Sequence, residues 1–164
     1  ALLGACWLAL KTDGELARKA RQIGRLSAFG TVGVMGVFSL STPLTEPLYV
    51  ERWFAGPTAI FSFIVPLLVL GCLYIILKGL HAGHDRRPFL GALGLFLLGY
   101  AGIGISFYPY IVPPSVTIED AAAPDKSLAF LLTGAVVLIP MILGYTAYSY
   151  WVFRGKISAK DGYH

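Results

Sequence analysis

Two histidines, His81 and His84, are the side chains of this sequence best placed to bind a metal ion. Because they are three residues apart, they would share one face of a helix and could both contact one ion. A zinc site needs three or four protein ligands, and no third ligand lies at a suitable spacing. We therefore interpret the pair as part of a solvated loop; the third histidine, His164, ends the sequence.

The other side chains that could ligate a metal or react lie within apolar runs. Met35 and Met141 have no histidine at the same depth with which to hold a haem iron. Cys6 and Cys72 are in surroundings where a thiol packs as a small hydrophobic group. The sequence shows no Ser/His/Asp set, no paired carboxylates and no phosphate-binding glycine loop. We predict no catalytic, cofactor-binding or metal-binding residue in this chain.

The segments that carry these residues are unusually apolar. Of the 164 residues, 56% are hydrophobic and 13% are charged, against roughly 45–50% and 25% in soluble globular domains. The charges form clusters, and the charge-free runs between them each reach the ~20 residues that cross a bilayer as a helix. These runs are 26–45, 53–77, 88–118 and 127–153. The composition thus excludes an ordinary soluble protein.

We predict an all-α integral membrane fold, in which a four-helix transmembrane bundle follows the end of a preceding transmembrane helix. The approximate spans are 1–10 (partial), 26–45, 54–77, 89–110 and 128–152, within a single membrane domain over 1–164. Residues 1–10 have about half the length of a span, and no initiator Met precedes them. We expect the chain to begin inside a helix, with its N-terminus a truncation.

Basic residues alternate between the two sides of the membrane. If each run crosses once, segments 11–25, 78–87 and 154–164 lie on one side and hold five, three and three of the 13 Lys and Arg residues. Loops rich in Lys and Arg stay cytoplasmic. We therefore predict a multi-pass membrane protein with a cytoplasmic C-terminus.

Glycines indicate where the spans could pack against other helices. Gly30, Gly33 and Gly36 form a strip without side chains on the first span, which predicts close approach of another backbone. The third span carries small residues on overlapping faces, and we interpret them in the same way: Gly91, Gly94, Gly99, Gly102 and Ser106.

Prolines near the middle of two spans leave an alternative open. Pro66 and Pro140 predict bends, and each of their spans ends in a basic residue followed by glycine. Parallel repeats with interrupted helices occur in transporters. However, none of the four charge-free runs contains the ionisable groups that mark ion pathways. Half of a transporter and a purely structural membrane scaffold are the alternative functions.

Three sequence runs resemble a known family. WLALKTDGEL at 7–16, SFYPYIVPPS at 106–115 and VLIPMILGYTAY at 137–148, followed by YW at 150–151 and FRGKI at 153–157, are similar to subunit II of the cytochrome bd-type ubiquinol oxidases, including the cyanide-insensitive branch. The resemblance covers the C-terminal half of that subunit, from the tail of its fifth span through the last four of nine.

The resemblance implies a location in the bacterial cytoplasmic (inner) membrane and a part in aerobic electron transport. The respiratory oxidase of that family takes electrons from a quinol and reduces dioxygen to water. In that family subunit I carries haems b and d and the quinol-oxidising loop, whereas subunit II lacks haem ligands and supports assembly. The family's acid assigned to a proton channel lies in the other half of subunit II, so no catalytic position is carried over. The implied partners are subunit I, the N-terminal half of subunit II, a small accessory subunit, lipid and quinone. We expect no nucleic acid partner.

Overall fold

The computed structural model of the chain describes residues 1–45, 50, 59–83 and 86–155. Within these residues, four helices are long and apolar enough, by length and composition, to cross a membrane. A shorter apolar helix precedes them, and strand is confined to a few residues. The predicted all-α integral membrane class is confirmed.

The described residues divide into two compact units, Ala1–Ser106 and Phe107–Gly155. The first unit contains the helices α1 (Leu2–Lys11), α2 (Gly14–Thr45), α3 (Ala59–Ala82) and α4 (Arg86–Phe107). The second unit contains β1 (Tyr110–Val112), β2 (Val116–Thr117), α5 (Ile118–Ala121) and α6 (Asp125–Val152).

Helix α2 is longer than the apolar run that predicts it. It begins at Gly14, so the basic segment and the following span form one continuous helix. Gly14 itself has φ +68°, a left-handed conformation that glycine adopts without steric cost, and it allows α2 to start with only two residues between it and α1. At the end of α1, the Thr12 hydroxyl donates to the Leu8 carbonyl oxygen at 2.6 Å.

Helix α4 ends at Phe107, three residues before the end of its predicted span. Pro109 explains this end, because it has no N–H to donate and disfavours helical backbone at the residue before it. The chain then enters the antiparallel β1–β2 hairpin. The limits of the spans stay predictions, since a helix end is not a membrane boundary, and residues 54–58 of the second predicted span lie outside the described residues.

A small buried cluster joins the four helices of the first unit. Each helix contributes between one and three side chains: Leu2, Cys6, Ala28, Val69, Ile76, Leu80, Ala92 and Leu95. Most other large apolar side chains of this unit are exposed, as expected of helices whose outer faces meet hydrocarbon. The packing of these helices therefore rests on a few close contacts.

Glycines make several of these contacts. A Cβ placed on Gly91 would lie 2.8 Å from Ile76 Cγ1, one on Gly94 would lie 3.1 Å from Cys72 Sγ, and one on Gly99 would lie 3.4 Å from Met35 Cε. Gly91, Gly94 and Gly99 thus face neighbouring helices. Gly102 does not, because a Cβ placed on it would meet no neighbouring side chain or helix within 4 Å among the described residues.

The glycine strip on α2 behaves differently from the one on α4. Nothing in the described part of the chain lies within 4 Å of a Cβ placed on Gly30, Gly33 or Gly36. The helix contact predicted for this strip is therefore not made by the residues that the structure describes. The three glycines leave a surface without side chains on α2.

In the second unit, the short helix α5 has a capped N-terminus. The Thr117 hydroxyl accepts from the Asp120 backbone N–H at 3.1 Å, and Asp120 Oδ2 accepts from the Thr117 hydroxyl at 2.6 Å and from its backbone N–H at 3.3 Å. This is a capping box, and it lowers the pKa of the exposed Asp120 carboxyl because both bonds from Thr117 favour its charged form. Helix α6 follows and has no buried residue.

The contact between α3 and α4 yields a mutational prediction. In Gly79→Ala, the new Cβ would lie 2.8 Å from Cγ and Cδ of Pro88, whose ring cannot rotate away. We expect this overpacking to cost about 1–3 kcal/mol, which exceeds the ~1 kcal/mol that alanine gains over glycine in a helix. We expect Gly79→Ala to unfold at a lower temperature than the wild type. Thermal unfolding of each protein, purified together with its partner chains, measures this difference.

The matched control is Gly71→Ala on the same helix, where no described atom lies within 4 Å of the new Cβ. It receives the same gain in helix propensity, so its unfolding temperature should equal or exceed that of the wild type. Equal unfolding temperatures for Gly79→Ala and Gly71→Ala would contradict the close contact.

Candidate functional site

The histidine pair is only partly within the structure. His81 is exposed in the last turn of α3, whereas His84 and His164 lie outside the described residues. In the described segments, no group of three or more His, Cys, Asp or Glu side chains could hold a metal ion. The absence of a metal site in the whole chain stays a prediction.

The two cysteines take part in packing. Cys6 is fully buried in the cluster that joins the first four helices, and Cys72 packs at its edge. Both thiols are free. Their positions against α4 and the other helices match the behaviour of cysteine as a small hydrophobic residue.

The sulfur ligands that haem uses are also poorly placed. Met35 packs against the buried cluster and approaches Gly99, so its thioether fills space between α2 and α4. Met141 is 61% exposed on α6. A haem iron needs an axial donor beside a cavity that accepts the macrocycle, and the only described histidine, His81, lies at a helix end. The donor groups in the described residues do not fit a haem.

An arginine of α2 donates a hydrogen bond to the C-terminal end of α3. The Arg25 Nη2 atom donates to the Leu80 carbonyl oxygen at 3.2 Å, within the last turn of α3. Such carbonyls have no partner inside their own helix and carry the negative end of the helix dipole, so a guanidinium satisfies both their hydrogen bonding and their charge. Sequence reasoning missed this bond because the two residues are 55 positions apart and no local pattern relates them.

Aromatic rings lie beside the basic residues at several helix ends. Lys11 Nζ lies 5.1 Å from the centroid of the Trp7 ring, which in turn lies 5.2 Å from the ring of Phe89 on α4. At the end of α6, the Arg154 guanidinium lies 4.9 Å from the centroid of Trp151. Cations above aromatic faces are typical of side chains at the level of lipid headgroups.

A groove lies between α3 and α4. We call it the α3–α4 groove; it has a volume of about 470 Å³ and is lined by Cys72, Tyr74, Ile75, Lys78, Gly79, Arg87, Leu90 and Gly91. Its surface is mostly apolar, and its two charged side chains, Lys78 and Arg87, are both basic.

These features define a class of protein, the multi-pass α-helical membrane proteins. The described residues of the chain form apolar helices that pack through glycines and carry basic side chains at their ends. Comparison with known proteins identifies the family. Residues 1–153 match the family model of cytochrome bd terminal oxidase subunit II. Since the match covers nearly the whole chain, the chain belongs to this family, and the resemblance noted from its sequence runs is confirmed.

Relatives with similar sequences come from several bacteria. Cytochrome bd-I ubiquinol oxidase subunit 2 of Escherichia coli (strain K12) is 27% identical, over 96% of this chain and 49% of the relative. Cytochrome bd ubiquinol oxidase subunit 2 of Bacillus subtilis (strain 168) is 28% identical, over 96% and 47%. A probable cytochrome oxidase subunit 2 of Haemophilus influenzae is 26% identical, over 95% and 49%.

The chain therefore spans about half the length of the curated relatives that it matches, and the matching half is the C-terminal one. Together, the family and the four apolar helices indicate a multi-pass protein of the bacterial inner membrane.

The placement of His81 predicts that the histidine pair ligates no haem. In the assembled protein, His81→Ala/His84→Ala should leave the haem absorption spectrum unchanged, because His81 is exposed at a helix end. Absorption spectra of wild type and variant, normalised to assembled protein, provide the test. Loss of one haem band at a normal amount of assembled protein would refute the prediction and would make one of the two residues a haem ligand.

Proposed function

We propose that this chain is part of a haem-free accessory subunit, subunit II, of a respiratory bd-type quinol oxidase. The observation that carries the proposal is the family match across residues 1–153. In this proposal the complex oxidises a quinol, reduces dioxygen to water and takes up protons from the cytoplasm. The chain itself contributes no catalytic residue and supports the assembly of its partner.

The donor groups of the described residues favour the haem-free role. Their methionines either pack between helices or lie exposed, and their one histidine is at a helix end. Haems b and d and the chemistry of electron transfer to dioxygen belong, in this proposal, to subunit I. The residues of this chain act by binding and positioning neighbouring helices.

An uncovered strip of glycines supports the role in assembly. Nothing in the described residues lies within 4 Å of a Cβ placed on Gly30, Gly33 or Gly36. Helices associate in lipid by close packing of small residues, so the strip suits a helix of another chain or segment. We propose that subunit I and the N-terminal half of subunit II supply such helices, beside lipid, quinone and a small accessory subunit.

The transporter alternative is less well supported. Transporter sites use helices that are broken near the middle of the membrane. Here α3 continues through Pro66 and α6 continues through Pro140 without interruption. The two prolines therefore act as sites of bending within helices, and the purely structural scaffold remains the alternative to be tested.

Co-purification with haem tests the proposal. When the protein is isolated from its native membrane by an affinity tag, we expect haem b and haem d absorption bands and quinol-dependent consumption of oxygen. A tagged multi-pass protein of another family from the same membrane is the control. A folded, membrane-extracted protein whose preparation shows no haem bands would contradict the oxidase role and favour a scaffold or transporter.

We further propose that the C-terminus and the segment between α1 and the first span are cytoplasmic, from the distribution of Lys and Arg. Cysteines introduced at Lys19 and Gly155 should then resist an impermeant maleimide in intact cells and react after permeabilisation. A cysteine at Ala121, which is exposed in α5, should react in intact cells. The parent protein gives the background from its two native cysteines. Labelling of either cytoplasmic position from outside would reverse the topology.

A further inference from the structure

The α3–α4 groove combines an apolar channel with two cations at one end of the helices. Ile75 and Leu90 line its apolar part and are 45% and 61% exposed. Lys78 and Arg87 line its charged part, four residues from the end of α3 and one residue after the start of α4. The groove therefore changes from apolar to basic along its length, toward the end of the span.

Glycines form part of the groove wall and keep its walls close. A Cβ placed on Gly79 would lie 2.8 Å from the ring of Pro88, and one placed on Gly91 would lie 2.8 Å from Ile76 Cγ1 and 3.3 Å from the Cys72 carbonyl oxygen. The two glycines, which also line the groove, therefore let α3 and α4 approach closely there. The volume of about 470 Å³ lies within the roughly 300–1,000 Å³ of small-molecule sites.

The cations have hydrogen-bonding capacity to spare. Lys78 Nζ donates to the Tyr74 hydroxyl at 3.2 Å and lies 5.4 Å from the centroid of that ring. An ammonium has three donors and a guanidinium has five, so one bond to Tyr74 leaves most of them available. None of the eight described lining residues is acidic. The groove thus suits a ligand with an anionic head and an apolar tail.

We propose that the α3–α4 groove binds an anionic phospholipid. Its phosphate contacts Lys78 and Arg87, and an acyl chain lies along Ile75 and Leu90 and crosses Gly91. Basic pockets between membrane helices on the cytoplasmic side bind anionic headgroups, and the distribution of Lys and Arg puts segment 78–87 on that side. This site goes beyond the proposed oxidase role and does not depend on it.

Lipid retention tests the site. The protein, purified with the chains that assemble with it, is placed in nanodiscs or detergent containing phosphatidylglycerol or phosphatidylcholine, washed, and analysed by native mass spectrometry. We expect wild type to retain one more phosphatidylglycerol than Lys78→Gln/Arg87→Gln. The variant should bind this lipid on the order of thirtyfold more weakly, since each basic residue near the surface contributes several-fold.

The matched control is Arg18→Gln/Lys19→Gln, which removes two exposed positive charges from α2 outside the groove. It should retain phosphatidylglycerol as wild type does. A second variant, Ile75→Trp, fills the apolar part of the groove and keeps both cations, so it should also lose the lipid. It tests the site independently if Lys78→Gln/Arg87→Gln fails to assemble.

Three results would overturn the proposal. Wild type could retain phosphatidylcholine as strongly as phosphatidylglycerol, both pairs of charge substitutions could weaken retention equally, or washed wild type could retain no anionic lipid. Haem content and oxygen consumption are measured separately, so failure of the lipid site is distinguishable from failure of the oxidase role.

Discussion

In hydrocarbon, two helices gain nothing by hiding apolar side chains from each other, so close contact between their surfaces has to hold them together. The arrangement of α3 and α4 depends on this constraint. At Gly79 and Gly91 the absence of a side chain lets a proline ring and a buried isoleucine approach to distances that a Cβ would prevent. The position of Cys72 against Gly94 and the α3–α4 groove follow from that approach.

The same constraint explains how little of the chain is buried. In water, a helix such as α6 could not remain with every residue unburied, because its apolar side chains would associate. In a bilayer the lipid solvates those side chains, and the backbone satisfies its own hydrogen bonds within the helix. Exposed apolar area is therefore no sign of a missing partner here. An uncovered strip of glycines is more informative, since lipid chains gain little from contact with a helix that lacks side chains.

Prediction from the sequence succeeded where the bilayer imposes a simple rule. Long charge-free runs predict helices, and the family resemblance followed from motifs at 7–16, 106–115 and 137–148. The glycine patterns show the limit of such reasoning. Gly30, Gly33 and Gly36 have the spacing of a packing surface, as do the glycines of α4, yet among the described residues only Gly91, Gly94 and Gly99 of α4 meet a neighbouring helix. Spacing identifies a surface that permits contact, but the partner depends on how the helices are arranged. The bond between Arg25 and Leu80 was likewise beyond prediction, because it joins distant parts of the sequence.

The basic residues on the predicted cytoplasmic side show why a count of charges is an incomplete description. All of them contribute equally to the bias that predicts topology. In the structure their surroundings differ: Arg25 binds a carbonyl at the end of α3, whereas Lys78 and Arg87 line an apolar groove. A guanidinium whose donor is directed to a backbone carbonyl stabilises the helix end, while a cation beside an apolar channel attracts an amphipathic anion. The same residue type thus serves structure at one position and suits lipid binding at another, and the neighbouring backbone decides which.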